Sequence, residues 1–181
     1  MRSALSTEAP LSSEINVRSD GYLVARATGT CWSCGAATRV FALALPPGHE
    51  ALAMDADADA DADAEGETRP TGVWDAAIRT ALLFYVALLP DAVQRRLREF
   101  SSLYRVARGA ATPGSYWANH CESCGSMLDD HDLFCEPEGA FLPTSQAQAA
   151  AIQLVRIDEP LEAAAAGYAC DPQFFESARG M

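Results

Sequence analysis

The sequence predicts an α+β fold in which antiparallel β-hairpins pack with a few helices in a single domain. Three observations predict it. Short apolar runs bounded by Pro and Gly recur along the chain, and most are strand-sized. A smaller number of segments carry helix-start residues followed by helical spacing of apolar positions. Two Cys-x-x-Cys-Gly turns, Cys31-Trp32-Ser33-Cys34-Gly35 and Cys121-Glu122-Ser123-Cys124-Gly125, offer four thiolates that must meet in space if they share one ion. A chain of 181 residues with 49% hydrophobic content suits one domain with a real core.

The elements follow in order. Residues 1–20 are Ser- and Glu-rich and are expected to fray, so the domain is placed at 21–181. Tyr22 to Thr28 reads as a strand, as does the apolar run from Ala36 to Leu45, which Pro46-Pro47-Gly48 stops. The first Cys pair then sits at the tip of a hairpin over 22–45. Residues 46–71 read as a flexible acidic insertion. Glu50, Asp55, Asp57, Asp59, Asp61, Asp63, Glu65 and Glu67 carry most of the net charge of −12 there, and the Asp-Ala repeat cannot bury an apolar face. The repeat lacks the Gly turn and terminal Glu of an EF-hand calcium loop.

Thr80 to Leu89 reads as a central strand, with a length that also suits a helix, and is ended by Pro90. Asp91, with Gln94 three residues on, predicts a capping box, and Val93, Leu97 and Phe100 fall on one helix face. Leu103 to Ala107 is a strand, Gly109 to Gly114 a loop, and Tyr116 to Asn119 a strand leading into the second Cys pair. Thr144 or Ser145 caps a short helix through Ala151, and Ile152 to Ile157 is a strand. Pro160 to Tyr168 fits either element. Asp171-Pro172 starts a last helix carrying Phe174 and Phe175.

A Cys-x-x-Cys turn puts two sulfurs on one side, and the following Gly can adopt positive φ so that the turn closes. Cys31, Cys34, Cys121 and Cys124 are therefore assigned as the ligands of one structural zinc ion, with iron as the competitor for the same tetrahedral thiolate geometry. The rival for one pair is a thioredoxin-like redox motif, which needs a helix opening at the first Cys; here a strand follows instead. Cys135 and Cys170 have no partner at ligand spacing and read as small buried hydrophobes. The first 20 residues lack a signal-peptide core, and no apolar run reaches the roughly 18 residues of a membrane span. The expectation is a cytoplasmic protein with reduced thiols and no membrane contact.

The two knuckles are similar to those of zinc-ribbon proteins, in which Cys-x-x-Cys-Gly turns on adjacent hairpins share one zinc. More narrowly, Tyr116-Trp117-Ala118-Asn119-His120 before the second knuckle, Glu136-Pro137-Glu138-Gly139-Ala140-Phe141-Leu142-Pro143 after it, and the Cys-Trp-x-Cys form of the first resemble a set of bacterial proteins of unassigned function. That resemblance implies a zinc site and no particular activity. Residues 35–120 separate the two pairs, far more than in a compact ribbon, so the fold is expected to be elaborated between them. All 13 basic residues are Arg and Ala is abundant, a composition that points to a GC-rich bacterial genome.

Three function classes follow. The first is a structural zinc protein that acts as a protein-interaction module, an inhibitor or accessory factor with an unidentified protein partner. The second is an accessory nucleic-acid-binding zinc ribbon, for which Arg95, Arg96, Arg98, Arg105 and Arg108 would supply phosphate contacts against an acidic whole. The third is a metal-dependent enzyme built on His120 with Asp129, Asp130, His131, Asp132 and Glu136. No nucleophile elbow, P-loop or dinucleotide fingerprint is present, so no catalytic residue is assigned. His120 reads as an outer-sphere neighbour of the zinc and the acidic run as a solvated loop.

Overall fold

Strands that are apolar on both sides need a sheet covered on both faces. The computed structural model describes residues 14–54, 70–109, 114–137 and 139–169. A short strand β1 (Val17–Ser19) precedes the hairpin of β2 (Tyr22–Thr30) and β3 (Ala37–Leu45), which pair antiparallel from Leu23↔Ala44 to Thr30↔Ala37. There follow β4 (Glu50–Met54), β5 (Pro70–Ala76), β6 (Ala81–Leu88), helix α1 (Asp91–Phe100), β7 (Arg105–Arg108), β8 (Ser115–His120) and β9 (Met127–Leu128). The described chain closes with α2 (Asp130–Phe134), α3 (Gln146–Ala151), β10 (Gln153–Ile157) and β11 (Leu161–Ala169). Eight strands form one antiparallel sheet in the order β10-β2-β3-β6-β11-β1-β4-β5; β7, β8 and β9 form a second, small sheet. The architecture is α+β, as the sequence predicts.

The period-2 alternation of β2 and β3 sorts their side chains into two cores. Leu23, Ala25, Val40 and Ala42 face a core completed by Phe134, Phe141 and Leu154. Tyr22, Val24, Phe41 and Leu43 face the opposite core, which α1 closes with Val93 and Leu97 and the small sheet with Trp117. Burying each of the Leu, Val and Phe side chains among these contributes about 2 kcal/mol. The small sheet therefore lies against the large one, and Cys31 and Cys121 both belong to the first core.

Several expectations change. The stretch 46–71, read as a flexible insertion, contains β4 and the start of β5, which pair with each other from Glu50↔Ala76 to Met54↔Pro70. The apolar run Ala51-Leu52-Ala53 supplies a strand that the charge of the neighbouring Asp-Ala repeat obscures, and Arg18 ties it to β1 through a 2.6 Å ion pair with Glu50. The repeat itself, at 55–64, lies outside the described residues. So do the last helix expected from Asp171, Cys170, and residues 1–13. Within the stretch 1–20 that is expected to fray, Val17–Ser19 instead forms β1, paired with β11 and β4, with Val17 buried in the core.

The capping box at Asp91 does not form. Pro90 takes the N-cap position, Asp91 is the first helical residue, and the Gln94 side chain donates to the Leu89 carbonyl at 2.9 Å. Asp91 still places its carboxylate at the positive end of the helix dipole. The ambiguous stretch from Pro160 is strand β11, which fills the place between β6 and β1. Ser145 does cap α3, accepting from the Gln148 N–H at 3.3 Å. Cys135 is exposed, not buried, because it falls at the C-cap of α2, a short helix in the run read as an acidic loop. Among the described residues no helix is long and apolar enough to cross a membrane.

Candidate metal centre

Each knuckle is a backbone turn before it is a metal site. In the first, the Cys31 N–H donates to the Ala36 carbonyl at 2.9 Å and the Gly35 N–H to the Cys31 carbonyl at 2.8 Å. In the second, Cys121 N–H donates to the Ser126 carbonyl at 2.8 Å and Gly125 N–H to the Cys121 carbonyl at 2.9 Å. Gly35 and Gly125 have φ of 71° and 74°, the left-handed conformation that glycine adopts without a Cβ clash. The first Cys of each pair is buried and the second exposed, so the two turns present their sulfurs in the same way.

The four sulfurs lie within 4.8 Å of one another, and among the described residues they form the one cluster of three or more such groups placed to hold a metal. Across the two knuckles, Cys31 Sγ is 3.6 Å from Cys124 Sγ and Cys34 Sγ is 3.7 Å from Cys121 Sγ. A tetrahedron of zinc–sulfur bonds of about 2.3 Å has an edge of about 3.8 Å, so the donor set fits one tetrahedral ion. All four cysteines are free, and these separations are far beyond the roughly 2.0 Å of a disulfide.

Three polymer contacts bring the knuckles together independently of any metal. Asn119, buried in β8, accepts from the Phe41 N–H at 2.7 Å and donates to the Phe41 carbonyl at 2.9 Å, so its amide acts as a surrogate strand neighbour for β3. Glu122 accepts from the Arg39 guanidinium and backbone, and its own N–H donates to Thr38 Oγ1 at 3.0 Å. The Trp32 indole N–H donates to the Met127 carbonyl at 2.9 Å. The sulfurs are thus preorganised by both hairpins.

The thiols are not equivalent. Cys124 is held down to about 6, first by the Ser126 hydroxyl 3.2 Å away and then by the Ser126 N–H, both of which favour the thiolate. Cys121 is lowered by the Cys124 N–H and the Ser123 N–H. For Cys34 the Ala36 N–H pulls downward, but the neighbouring sulfurs and burial outweigh it and push the thiol up to about 11. The second knuckle would therefore offer thiolates to a cation more readily than Cys34.

The other sequence-predicted residues separate. His120 is buried beside Cys121, but its Nδ1 lies 3.0 Å from the Leu103 carbonyl and 3.2 Å from the Ala118 carbonyl. Carbonyls only accept, so Nδ1 carries the proton, and the ring ties β8 to the segment after α1. Burial holds its pKa below the usual imidazole range, against the opposing pull of the Leu103 carbonyl. The Arg group also divides. Arg96 is committed to Glu99 at 2.7 Å and Glu159 at 2.6 Å, whereas Arg95, Arg98, Arg105 and Arg108 are exposed and have no carboxylate partner among the described residues.

The acidic run does not assemble as one site with His120. His131 and Glu136 face each other at 3.5 Å on the surface. Asp129 caps α2 and accepts from the hydroxyls of Tyr85 at 3.0 Å and Tyr116 at 3.2 Å. Asp130 is buried and accepts from the Tyr85 N–H at 2.6 Å, while its Oδ1 has no hydrogen-bond partner among the described residues. Burial is the main cause that raises it to about 7, against the Tyr85 N–H and with the Asp129 charge. Tyr85 has φ of 50°, a strained value for a bulky residue, and this aspartate pair fastens it there.

The sequence alone assigns no role to Trp32, Asn119 or Tyr85. Trp32 and Asn119 did carry a signal, an aromatic inside a ligand turn and an amide inside an otherwise apolar strand. Nothing in the apolar run around Tyr85 marks its backbone. Comparison with known proteins returns no match: no family model, no curated protein and no solved structure matches this chain. The likeness to zinc ribbons therefore rests on the four-cysteine cluster itself.

Proposed function

We propose that this chain is a structural zinc protein whose four-thiolate site locks two hairpins of separate sheets together, and that the surface so formed is a protein-interaction module. The observation that supports this most strongly is the cross-knuckle sulfur spacing of 3.6 and 3.7 Å, the edge length of a tetrahedral thiolate site. All four sulfurs are used as ligands in this reading, which leaves no open position for substrate and separates the site from catalytic zinc centres. Iron would fit the same donors and would turn the reading toward electron transfer. Asp130, although its pKa is displaced toward neutrality, is 2% exposed and spent on holding Tyr85, which supports a structural role for it.

Elemental mass spectrometry of the purified chain, together with a visible spectrum, tests the reading. About one zinc per chain without colour supports it. Iron with visible absorption, or no metal with the thiols oxidised, overturns it. A second reading draws on Arg95, Arg98, Arg105 and Arg108, which are exposed, have no carboxylate partner among the described residues and would contact phosphates. It predicts salt-sensitive retention on nucleic acid that charge reversal at these four positions abolishes.

A further inference from the structure

A groove of about 420 Å³ opens beside the metal centre, lined by Trp32 of the first knuckle, Leu128 of β9, Leu133 and Asp132 of α2, and Glu136. Its wall is assembled from both knuckle arms, so it exists only when the two hairpins are docked. Trp32 is 71% exposed, yet the Met127 carbonyl fixes its indole N–H. An exposed aromatic that is already immobilised gives up little further freedom on binding, which is what an interface anchor needs.

Among the described residues the charged groups that line this groove are the carboxylates of Asp132 and Glu136; Asp132 has no basic partner there, and Glu136 faces His131 at 3.5 Å at the surface. With a divalent ion bound, four thiolates would add a net negative charge at the cysteines that flank Trp32 in the first knuckle. The lining also includes Gly29 and Ala140, with Gly29 packed near Leu133 and Ala140. A surface of this kind is complementary to a planar cation with an apolar neighbour. A guanidinium can stack on an indole face and bridge a carboxylate with two parallel N–H donors, which an ammonium cannot do.

We infer that this groove receives an arginine-bearing extended segment of a partner protein, with Trp32 as the stacking platform and Asp132 and Glu136 as the carboxylates that orient the guanidinium. The inference rests on the interaction-module reading above and names the chemistry of the partner. It differs from the nucleic-acid reading in the sign of the charge it needs, since phosphates would be repelled here.

The test uses the full, metal-loaded, 15N-labelled chain and two probes, the peptides acetyl-Ala-Arg-Leu-Arg-Ala-amide and acetyl-Ala-Glu-Leu-Glu-Ala-amide. The Arg probe is expected to shift the Trp32 indole N–H and the Gly29 amide saturably, and the Glu probe is not. The double variant Asp132→Asn/Glu136→Gln should retain the metal and bind the Arg probe roughly ten-fold more weakly. Equal shifts with both probes, no saturable shift at Trp32, or undiminished binding by the double variant would overturn the inference. Metal content is measured on the same sample. One ion per chain with an unmoved Trp32 removes the inference and leaves the metal reading standing, whereas absence of metal removes the metal reading and the groove with it.

Discussion

The two knuckles have nearly the same backbone and very different supports. The first crowns β2 and β3, nine-residue strands inside the large sheet, with eight consecutive paired positions beneath it. The second is closed on one side by β9, which has two residues and pairs with β8 only through Asn119↔Leu128 and His120↔Met127. Yet it is the weakly supported knuckle that carries the acidic thiol, through Ser126. A ligand turn is thus a local matter of four hydrogen-bonding groups and a glycine. Its stability and its readiness to bind metal come from what the rest of the chain places around it. The first knuckle rests on the large sheet; the second is held by Asn119 and Glu122, and a bound metal would hold it further.

Removing the metal should break this comparison open most widely. Chelation is expected to raise amide exchange at 121–128 strongly while 29–37 stays protected, measured by hydrogen–deuterium exchange mass spectrometry. Cys31→Ser and Cys121→Ser should each abolish metal retention and lower the melting temperature by more than about 10 °C. Equal deprotection of both knuckles on chelation would show that the large sheet does not hold the first one.

The arm of the second knuckle also carries a titrating weak point. Asp130 accepts from the Tyr85 N–H, with Asp129, Tyr116, Tyr104 and Cys135 within electrostatic reach. Its pKa is raised on folding, so the folded state binds the proton more tightly. The stability this contributes is fully present below the ordinary value of 3.8 and is lost as pH rises through about 7. Urea unfolding of Asp130→Asn should therefore show a flatter profile between those limits and a gain on the order of 2–4 kcal/mol above pH 7. A variant no more stable than the parent at pH 8 would contradict the assignment.

Asn119→Ala should cost about 2–4 kcal/mol in the metal-loaded protein, because it leaves the Phe41 N–H and carbonyl buried without partners. Ser126→Ala sharpens the asymmetry between the thiols. Metal affinity should fall roughly ten-fold near pH 6 and much less near pH 8, read by competition with a chromophoric chelator. Arg39→Ala should do least, since its ion pair with Glu122 lies at the surface; thermal melting should be almost unmoved.

The ligand set and its long-range meeting were legible because cysteine spacing encodes geometry directly. Strands β2, β3, β6 and β8 were legible because each is an apolar run with a Pro, Gly or Cys boundary. Strands β4 and β5 were hidden because a flanking Asp-Ala repeat dominates the local composition, and β11 because Ala164-Ala165-Ala166 suits a helix as well as a strand. What the sequence does not display is pairing across elements. Asn119 could not be matched to Phe41, nor Asp130 to Tyr85, since a buried polar residue finds its partner through tertiary structure. The burial of Asp130 and the exposure of Cys135 reverse their usual preferences for the same reason: both are fixed by the docking of α2.

The central claim is that four thiolates, two from each hairpin, hold one ion. X-ray absorption at the zinc edge tests it most directly. The account predicts a single shell of four sulfurs at about 2.3 Å. A shell containing a nitrogen or oxygen, as His120 or a bound water would give, or a chain that retains no zinc, would contradict it.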